Sequence, residues 1–311
     1  MKTAFESREV ITVLDGSICL QGAYHKPAAQ QSDSWPHDGY KPHTAILFVN
    51  SGNLPRAATG NSAVYWADAF AKIGYPSFRF DLPGLGDSDG DLPRDTLGFL
   101  RLVNAGHYAS TVSRIATTLT ERFNFSGVVV VGHCAGAVSA LYATAACKEI
   151  KGVVLLDPYF HLQQEITNVR EKIHFWALGS RIGEKIRKAY RPFKQLVRGK
   201  GLPRNANRSL IRCWNQAGAR LPMLVLTSAE SKPKPGNFDY IAYLHPKSQQ
   251  GCRVVVQHIN GTSHSFAERI GKETVRGQIE KWLGDCFPLM EHGKGQSLQR
   301  RFTTTASNGR S

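Results

Sequence analysis

The chain of 311 residues has no uncharged apolar run near the ~18 residues that a membrane span needs. Its first residues, MKTAFESREVITVLDG, lack the apolar core and small-residue cleavage site of a secretory signal. Six cysteines, Cys19, Cys134, Cys147, Cys213, Cys252 and Cys286, are scattered without a C-x-x-C pair. That argues against a metal clip or a disulfide framework and for a reducing, cytoplasmic setting. No internal repeat is visible, and no aromatic-basic signature of a nucleic-acid module is present. No metal or redox cofactor is implied. Acidic residues are scarce, 24 against 39 Lys and Arg, for a formal net charge of +15.

The excess charge is local. Between Arg170 and Arg212 there are thirteen Lys or Arg and two acids, Glu171 and Glu184, a net +11. Outside that segment the pattern is that of an α/β protein. Residues 8–25 read as a hairpin turning at Asp15-Gly16. Residues 26–43 read as a loop. Short apolar runs at Thr44–Val49, Pro76–Phe80, Val128–Val131, Gly152–Leu156, Met223–Thr227 and Val254–Gln257 read as buried strands. Helices are expected over 62–73 (stopped by Gly74), 98–122, Ala135–Cys147 and 267–283. Apolar strands alternating with helices predict a mostly parallel, twisted sheet covered on both faces. The tail from 291 to 311 is polar and expected to be disordered.

The most informative five residues are Gly132-His133-Cys134-Ala135-Gly136. They follow the run Val128–Val131 and open a stretch of small residues. Strand, sharp turn and helix place a thiol at the apex, the context of a G-x-S-x-G nucleophile elbow with Cys for Ser. A Cβ at position 132 or 136 would crowd neighbouring backbone. The helix N-terminus beneath the thiol favours a thiolate and, later, an oxyanion. A free Cys is also commonly a small buried hydrophobe, so the elbow alone does not establish chemistry.

The order of features resembles the α/β-hydrolase superfamily over roughly residues 8–285. The resemblance rests on the N-terminal hairpin, the Asn50-Ser51-Gly52-Asn53 turn, Phe80-Asp81-x-Pro-Gly-x-Gly-Asp-Ser88, the elbow, and Gly261-Thr-Ser-His264-Ser-Phe266. More narrowly, Gly74-Tyr-Pro-Ser-Phe-Arg79-Phe-Asp81, the Cys134 elbow and Phe175-Trp176 look like bacterial cysteine-elbow hydrolases associated with exosortase and exopolysaccharide gene clusters. The resemblance implies a core of residues 1–158 and 221–290 and a basic helical lid at 159–220.

It also implies roles. Cys134 would be the nucleophile and His264 its base. His258, at the end of a strand, is the poorer candidate, and His133 is expected to pack or hydrogen-bond near the site. The oxyanion hole would use the N–H of Ala135 and an N–H from the turn Ser51, Gly52, Asn53. The superfamily usually places its acid about three residues after the strand 223–227, where this chain has Ser231. Asp157, at the end of the strand beside the elbow strand, is expected to orient His264, with Glu230 second and Asp239 more distant. Asp157 could instead cap a loop with Pro158 while a Cys–His pair works without a third member. Asp81, Pro83, Gly84 and Gly86 are expected to shape the fold rather than react.

In the lid, Ile182, Ile186, Tyr190, Phe193 and Val197 recur at helical spacing, opposite Arg181, Lys185, Lys188, Arg191 and Lys194. Three readings stay open: charges that are simply solvated, attraction to an anionic partner (a phosphopantetheine or CoA thioester, or an acidic polysaccharide), and a membrane-surface helix. Nucleic acid is not expected. The function implied is hydrolysis of an ester or thioester of a small acyl substrate through an acyl-cysteine. The alternatives are acyl transfer, as in polyhydroxyalkanoate synthases that share a G-x-C-x-G elbow, and a non-catalytic binding protein on a hydrolase fold.

Overall fold

A strand buried on both faces needs a continuous apolar run, and β5 (Gly127–His133) is one: all seven of its residues are buried. In the computed structural model, which describes residues 7–27, 44–162, 201–231, 233, 237–248 and 254–289, β5 lies at the middle of an eight-stranded sheet. The other strands are β1 (Arg8–Asp15), β2 (Ile18–His25), β3 (Thr44–Phe48), β4 (Ser77–Phe80), β6 (Ile150–Leu156), β7 (Met223–Ser228) and β8 (Val254–Ile259). The order is β1-β2-β4-β3-β5-β6-β7-β8. The hairpin β1–β2 and the pair β2–β4 are antiparallel, and every pair from β4 to β8 is parallel.

Side chains along each strand alternate between two cores. Val128, Val130, Val153, Leu155, Met223 and Val225 face one. Val129, Val131, Val154, Leu156, Leu224 and Leu226 face the other. The first core is closed by α2 (Thr96–Asn104), α3 (Ala109–Phe123), α4 (Ala135–Ala146), α5 (Arg208–Arg220) and, through Leu244, α6 (Tyr240–Ser248). The second is closed by α1 (Ser62–Lys72) and α7 (Arg269–Cys286). Helix α4 is buried on nearly every side. Its run of alanines lets it lie close to the sheet while α3 and α5 pack against it.

Two expectations are corrected. The single helix expected over 98–122 is two helices. Gly106 adopts φ +79°, and the N–H groups of Gly106 and His107 bond back to Val103 O and Leu102 O, a Schellman end that stops α2. The segment 208–220, read as the end of the lid, is the core helix α5. It is capped by Asn207, whose side chain accepts from Leu210 N, and its Leu210 and Trp214 are fully buried. The surrounding basic residues masked its apolar spacing. Asp239, the more distant acid, immediately precedes α6, and its carboxylate accepts from Ala242 N at 2.9 Å, as a helix cap does. The expected lid residues Phe175, Trp176, Ile182, Ile186, Tyr190, Phe193 and Val197, the loop 28–43 and the tail from 291 lie outside the described residues.

Candidate active site

The site is assembled at the carboxyl ends of the parallel strands, where β5 gives way to α4. Cys134 sits between them at φ 54°, ψ −115°, a backbone conformation costing of order 1–3 kcal/mol for a residue with a Cβ. Neighbours hold it there. A Cβ on Gly132 would stand 2.3 Å from Gly136 O, and one on Gly136 would stand 2.0 Å from Asn50 O. Both glycines are therefore sterically required, and the second brings the Asn50–Asn53 turn against the start of α4. Cys134 N donates to Leu156 O at 2.9 Å, tying the elbow to β6. The N–H of Ala135, in the first turn of α4, has no partner within the helix.

His264 lies on the turn after β8. Its Nδ1 is 2.9 Å from Asp157 Oδ2, and the Cys134 side chain lies near enough to the imidazole to help raise its pKa. With Nδ1 turned to Asp157, Nε2 is the ring nitrogen not engaged by that carboxylate. Asp157 leaves the end of β6 at φ 45° and is 3% exposed. Its other oxygen accepts from Ser228 N at 2.7 Å. Burial alone would raise its pKa, but hydrogen bonds from His264, Ser228 and Ser231 outweigh that and lower it. His264 moves the opposite way, up to about 10, chiefly through the Asp157 bond and then the Cys134 side chain.

The remaining candidates fall into place around this chain. Glu230 does not touch the imidazole; its Oε2 accepts the backbone N–H of His264 at 2.9 Å. Ser231, at the position where the superfamily's acid was expected, puts its Oγ 3.3 Å from His264 Nδ1. His258 stands on β8 bonded through Nδ1 to Thr227 Oγ1, away from the elbow. The cysteines Cys147 and Cys213 have pKa values raised by burial, which keeps them protonated thiols.

His133, expected to pack or hydrogen-bond near the site, hydrogen-bonds two partners that the sequence did not name. Its Nε2 donates to His264 O at 2.7 Å, so its Nδ1 is the acceptor for Ser51 Oγ at 2.5 Å. Burial first, and the neighbouring His264 charge second, push its pKa down to about 4, which keeps this neutral tautomer. The turn bearing Ser51 is braced from below. Asn50 Nδ2 donates to Asp81 Oδ1 at 3.0 Å and Asn50 Oδ1 accepts from Leu82 N at 2.7 Å. Fully buried Asp81 is also bonded by the backbone and guanidinium of Arg56. A Cβ on Gly86 would fall on the Asp81 carboxylate. The 81–88 loop thus shapes the site as expected.

Ligand atoms of His133, Asp157 and His264 lie within 4.8 Å of one another, a spacing that could suit a cation. Here it follows from the hydrogen bonds. Both ring nitrogens of His133 are engaged, which leaves that ring no lone pair for a metal.

This sheet order, the elbow and the His turn define an α/β hydrolase. The chain belongs to the alpha/beta hydrolase fold family, whose family model matches residues 45–272. No curated protein sequence matches it. Among solved structures it is similar to DcsB in complex with its substrate analogue, with TM-score 0.60, 17% identity and coverage of 90% of this chain and 100% of that one. It is also similar to the esterase Pf2001 of Pyrococcus furiosus, with TM-score 0.57, 13% identity and coverage of 90% and 92%. A third is XC6422 of Xanthomonas campestris, described as an a/b serine hydrolase without lid, with TM-score 0.53, 16% identity and coverage of 92% and 97%. At these identities the likeness is one of fold. No helix among the described residues is long and apolar enough to cross a membrane.

Proposed function

We propose that the protein hydrolyses an ester or thioester through an acyl intermediate on Cys134. The observation that carries this reading is the pairing of His264 Nδ1 with the buried Asp157 carboxylate at 2.9 Å, with the Cys134 side chain at the elbow close enough to perturb the same imidazole. His264 Nε2 takes the thiol proton, and the thiolate sulfur bonds to the substrate carbonyl carbon. The resulting oxyanion is held by the N–H of Ala135 and by the Ser51–Asn53 turn. Collapse breaks the bond to the leaving alcohol or thiol, which receives the proton from His264. Water then attacks the acyl carbon, His264 takes its proton, the C–S bond breaks, and acid and thiol are restored.

The electrostatics suit both halves of the cycle. The Cys134 side chain, negatively charged once it is a thiolate, contributes to the raised pKa of His264. Acylation removes that charge, so the imidazole becomes easier to deprotonate when a base for water is needed. The net +11 of residues 170–212 favours an anionic or CoA-like acyl substrate, or an acidic polysaccharide, and predicts a KM that rises with salt. A thiol nucleophile also suits a reducing, cytoplasmic location. The residues Gly74–Asp81 and the elbow favour the narrower reading of a cysteine-elbow hydrolase of the exopolysaccharide-associated kind.

The test is intact mass and turnover with a p-nitrophenyl ester and an acyl thioester, with and without iodoacetamide, beside Cys134→Ala. The expected result is an acyl adduct confined to Cys134 and lost in the variant, with free acid as product. An ester formed with an added alcohol instead would make the enzyme a transferase. A folded protein whose Cys134 neither acylates nor alkylates would leave a binding protein on a hydrolase fold.

A further inference from the structure

One buried side chain touches both halves of the site, with both of its ring nitrogens hydrogen-bonded. His133 reaches the oxyanion turn through Ser51 Oγ, at 2.5 Å, and the base loop through the main-chain oxygen of His264, at 2.7 Å. We propose that His133 is a positioning residue, a strut that holds the oxyanion turn and His264 in fixed relation across the elbow. The inference rests on the acyl-cysteine reading and adds a residue to it.

The geometry around the strut supports a specific purpose. The two loops it joins are far apart in sequence and neither packs as part of a regular element. The turn is reached only after β3, and His264 only after β8. Each is held from its outer side by a carboxylate. Asp81 braces Asn50, and Glu230 holds the N–H of His264. His133 holds both from the inner side. The peptide of His264 is thus pinned at its N–H by Glu230 and at its C=O by His133, while Asp157 sets only the ring. The His133 ring is further fixed by the edge of Phe266, with centroids 5.6 Å apart at 69°. A residue at this position must accept on one side and donate on the other in one plane, which a neutral imidazole does and no aliphatic side chain can.

The two contacts can be cut separately. In His133→Gln the amide nitrogen can occupy the Nε2 position and keep the bond to His264 O, while the Ser51 acceptor is lost. In His133→Asn the amide oxygen can occupy the Nδ1 position and keep Ser51, while the donor to His264 is lost. Two rates are read for each: acylation by a p-nitrophenyl ester, which needs the oxyanion turn, and alkylation of Cys134 by iodoacetamide, which forms no oxyanion and reads the Cys–His pair. For His133→Gln we expect acylation to fall about tenfold, with alkylation within about twofold of the wild type. For His133→Asn we expect both to fall, alkylation by about tenfold. Ser51→Ala should reproduce His133→Gln, and the double variant should be no slower than either single one.

If both rates fall in parallel in every variant, together with the melting temperature, His133 is a packing residue and the strut is refuted. Unchanged rates in His133→Gln refute it equally. Should the His133 variants fail to fold, Ser51→Ala decides alone: unchanged acylation overturns the proposal, and a selective loss of acylation supports it. A wild type whose Cys134 does not react at all sinks the acyl-cysteine reading itself, and the strut with it. That outcome is distinct from a reactive wild type with indifferent variants.

Discussion

Replacing Asp157 by Asn tests the order of groups in the site more sharply than deleting it. Two of the hydrogen bonds to Asp157 fix its orientation, from Ser228 N at 2.7 Å and from His264 Nδ1 at 2.9 Å. The first donor is a backbone N–H and cannot change its role. An Asn that keeps its oxygen on Ser228 N must aim its NH₂ at His264 Nδ1. The imidazole then carries its proton on Nε2 and cannot accept one from Cys134. The flipped amide restores the working tautomer but sets its NH₂ against Ser228 N–H, leaving a buried donor unsatisfied at a cost of about 1–3 kcal/mol. Only about one molecule in ten to one in a hundred is then competent. Loss of the carboxylate charge beside the imidazolium removes roughly another tenfold. The expected fall in kcat is about 10²–10³-fold, or ~3–4 kcal/mol at 1.36 kcal/mol per decade. The assay is initial rate on a p-nitrophenyl ester with the melting temperature as a check on folding. Glu230→Gln is the matched control, because its amide oxygen can still accept the His264 N–H, and its rate should stay within about threefold. Asp157→Asn with normal turnover beside a dead Glu230→Gln would falsify the assignment and reverse the two carboxylates.

The remaining predictions follow from steric fit, burial and charge. Gly136→Ala drives a Cβ to 2.0 Å from Asn50 O and should destabilise by about 3 kcal/mol or more. In exposed Gly277 of α7, a Cβ meets no atom of the described residues within 4 Å, so Gly277→Ala should stabilise by about 0.5–1 kcal/mol; thermal melts of the pair should shift in opposite directions. Trp214 is fully buried and its Nε1 has no partner among the described residues. Trp214→Ala should cost about 3–5 kcal/mol in denaturant titration, and Trp214→Phe, which also removes the unpaired N–H, distinctly less. Finally, His264 is held at about 10 in the folded state against an unfolded value near 6.5. Its stabilising contribution is therefore complete below pH ~6.5 and is lost as pH rises toward ~10. Because the side chain is 45% exposed, solvent screens much of it. The loss of melting temperature between pH 7 and 10 should be smaller in His264→Ala; an identical slope would show that the ion pair adds nothing.

How far the chain could be read depended on whether a feature was local. Each buried strand was visible as an apolar run because a strand covered on both faces has no polar side to interrupt it. The elbow was visible because two glycines and a cysteine in five residues satisfy a steric demand made within the same five residues and the turn beside them. The break between α2 and α3 was missed because Gly106, lone in a helical pattern, looks tolerable until its left-handed φ is known. Helix α5 was hidden by its basic neighbours, since its apolar face only acquires meaning once α4 lies beneath it.

The sequence by itself determined the α/β alternation, the tight turn at Cys134 and the chemical types available near it, because these follow from local sterics and apolar periodicity. It did not determine which carboxylate meets His264. Asp157 and Glu230 are separated by more than seventy residues and both reach His264, one at its ring and the other at its backbone. Only the parallel register of β6 against β7, Leu156 beside Leu226, assigns them to those places. Tertiary structure likewise decided that His133 joins Ser51 to His264. Such a contact depends on three strand ends arriving at one point, and the physical cause is sheet packing over long sequence separations, which leaves no periodic trace in the chain.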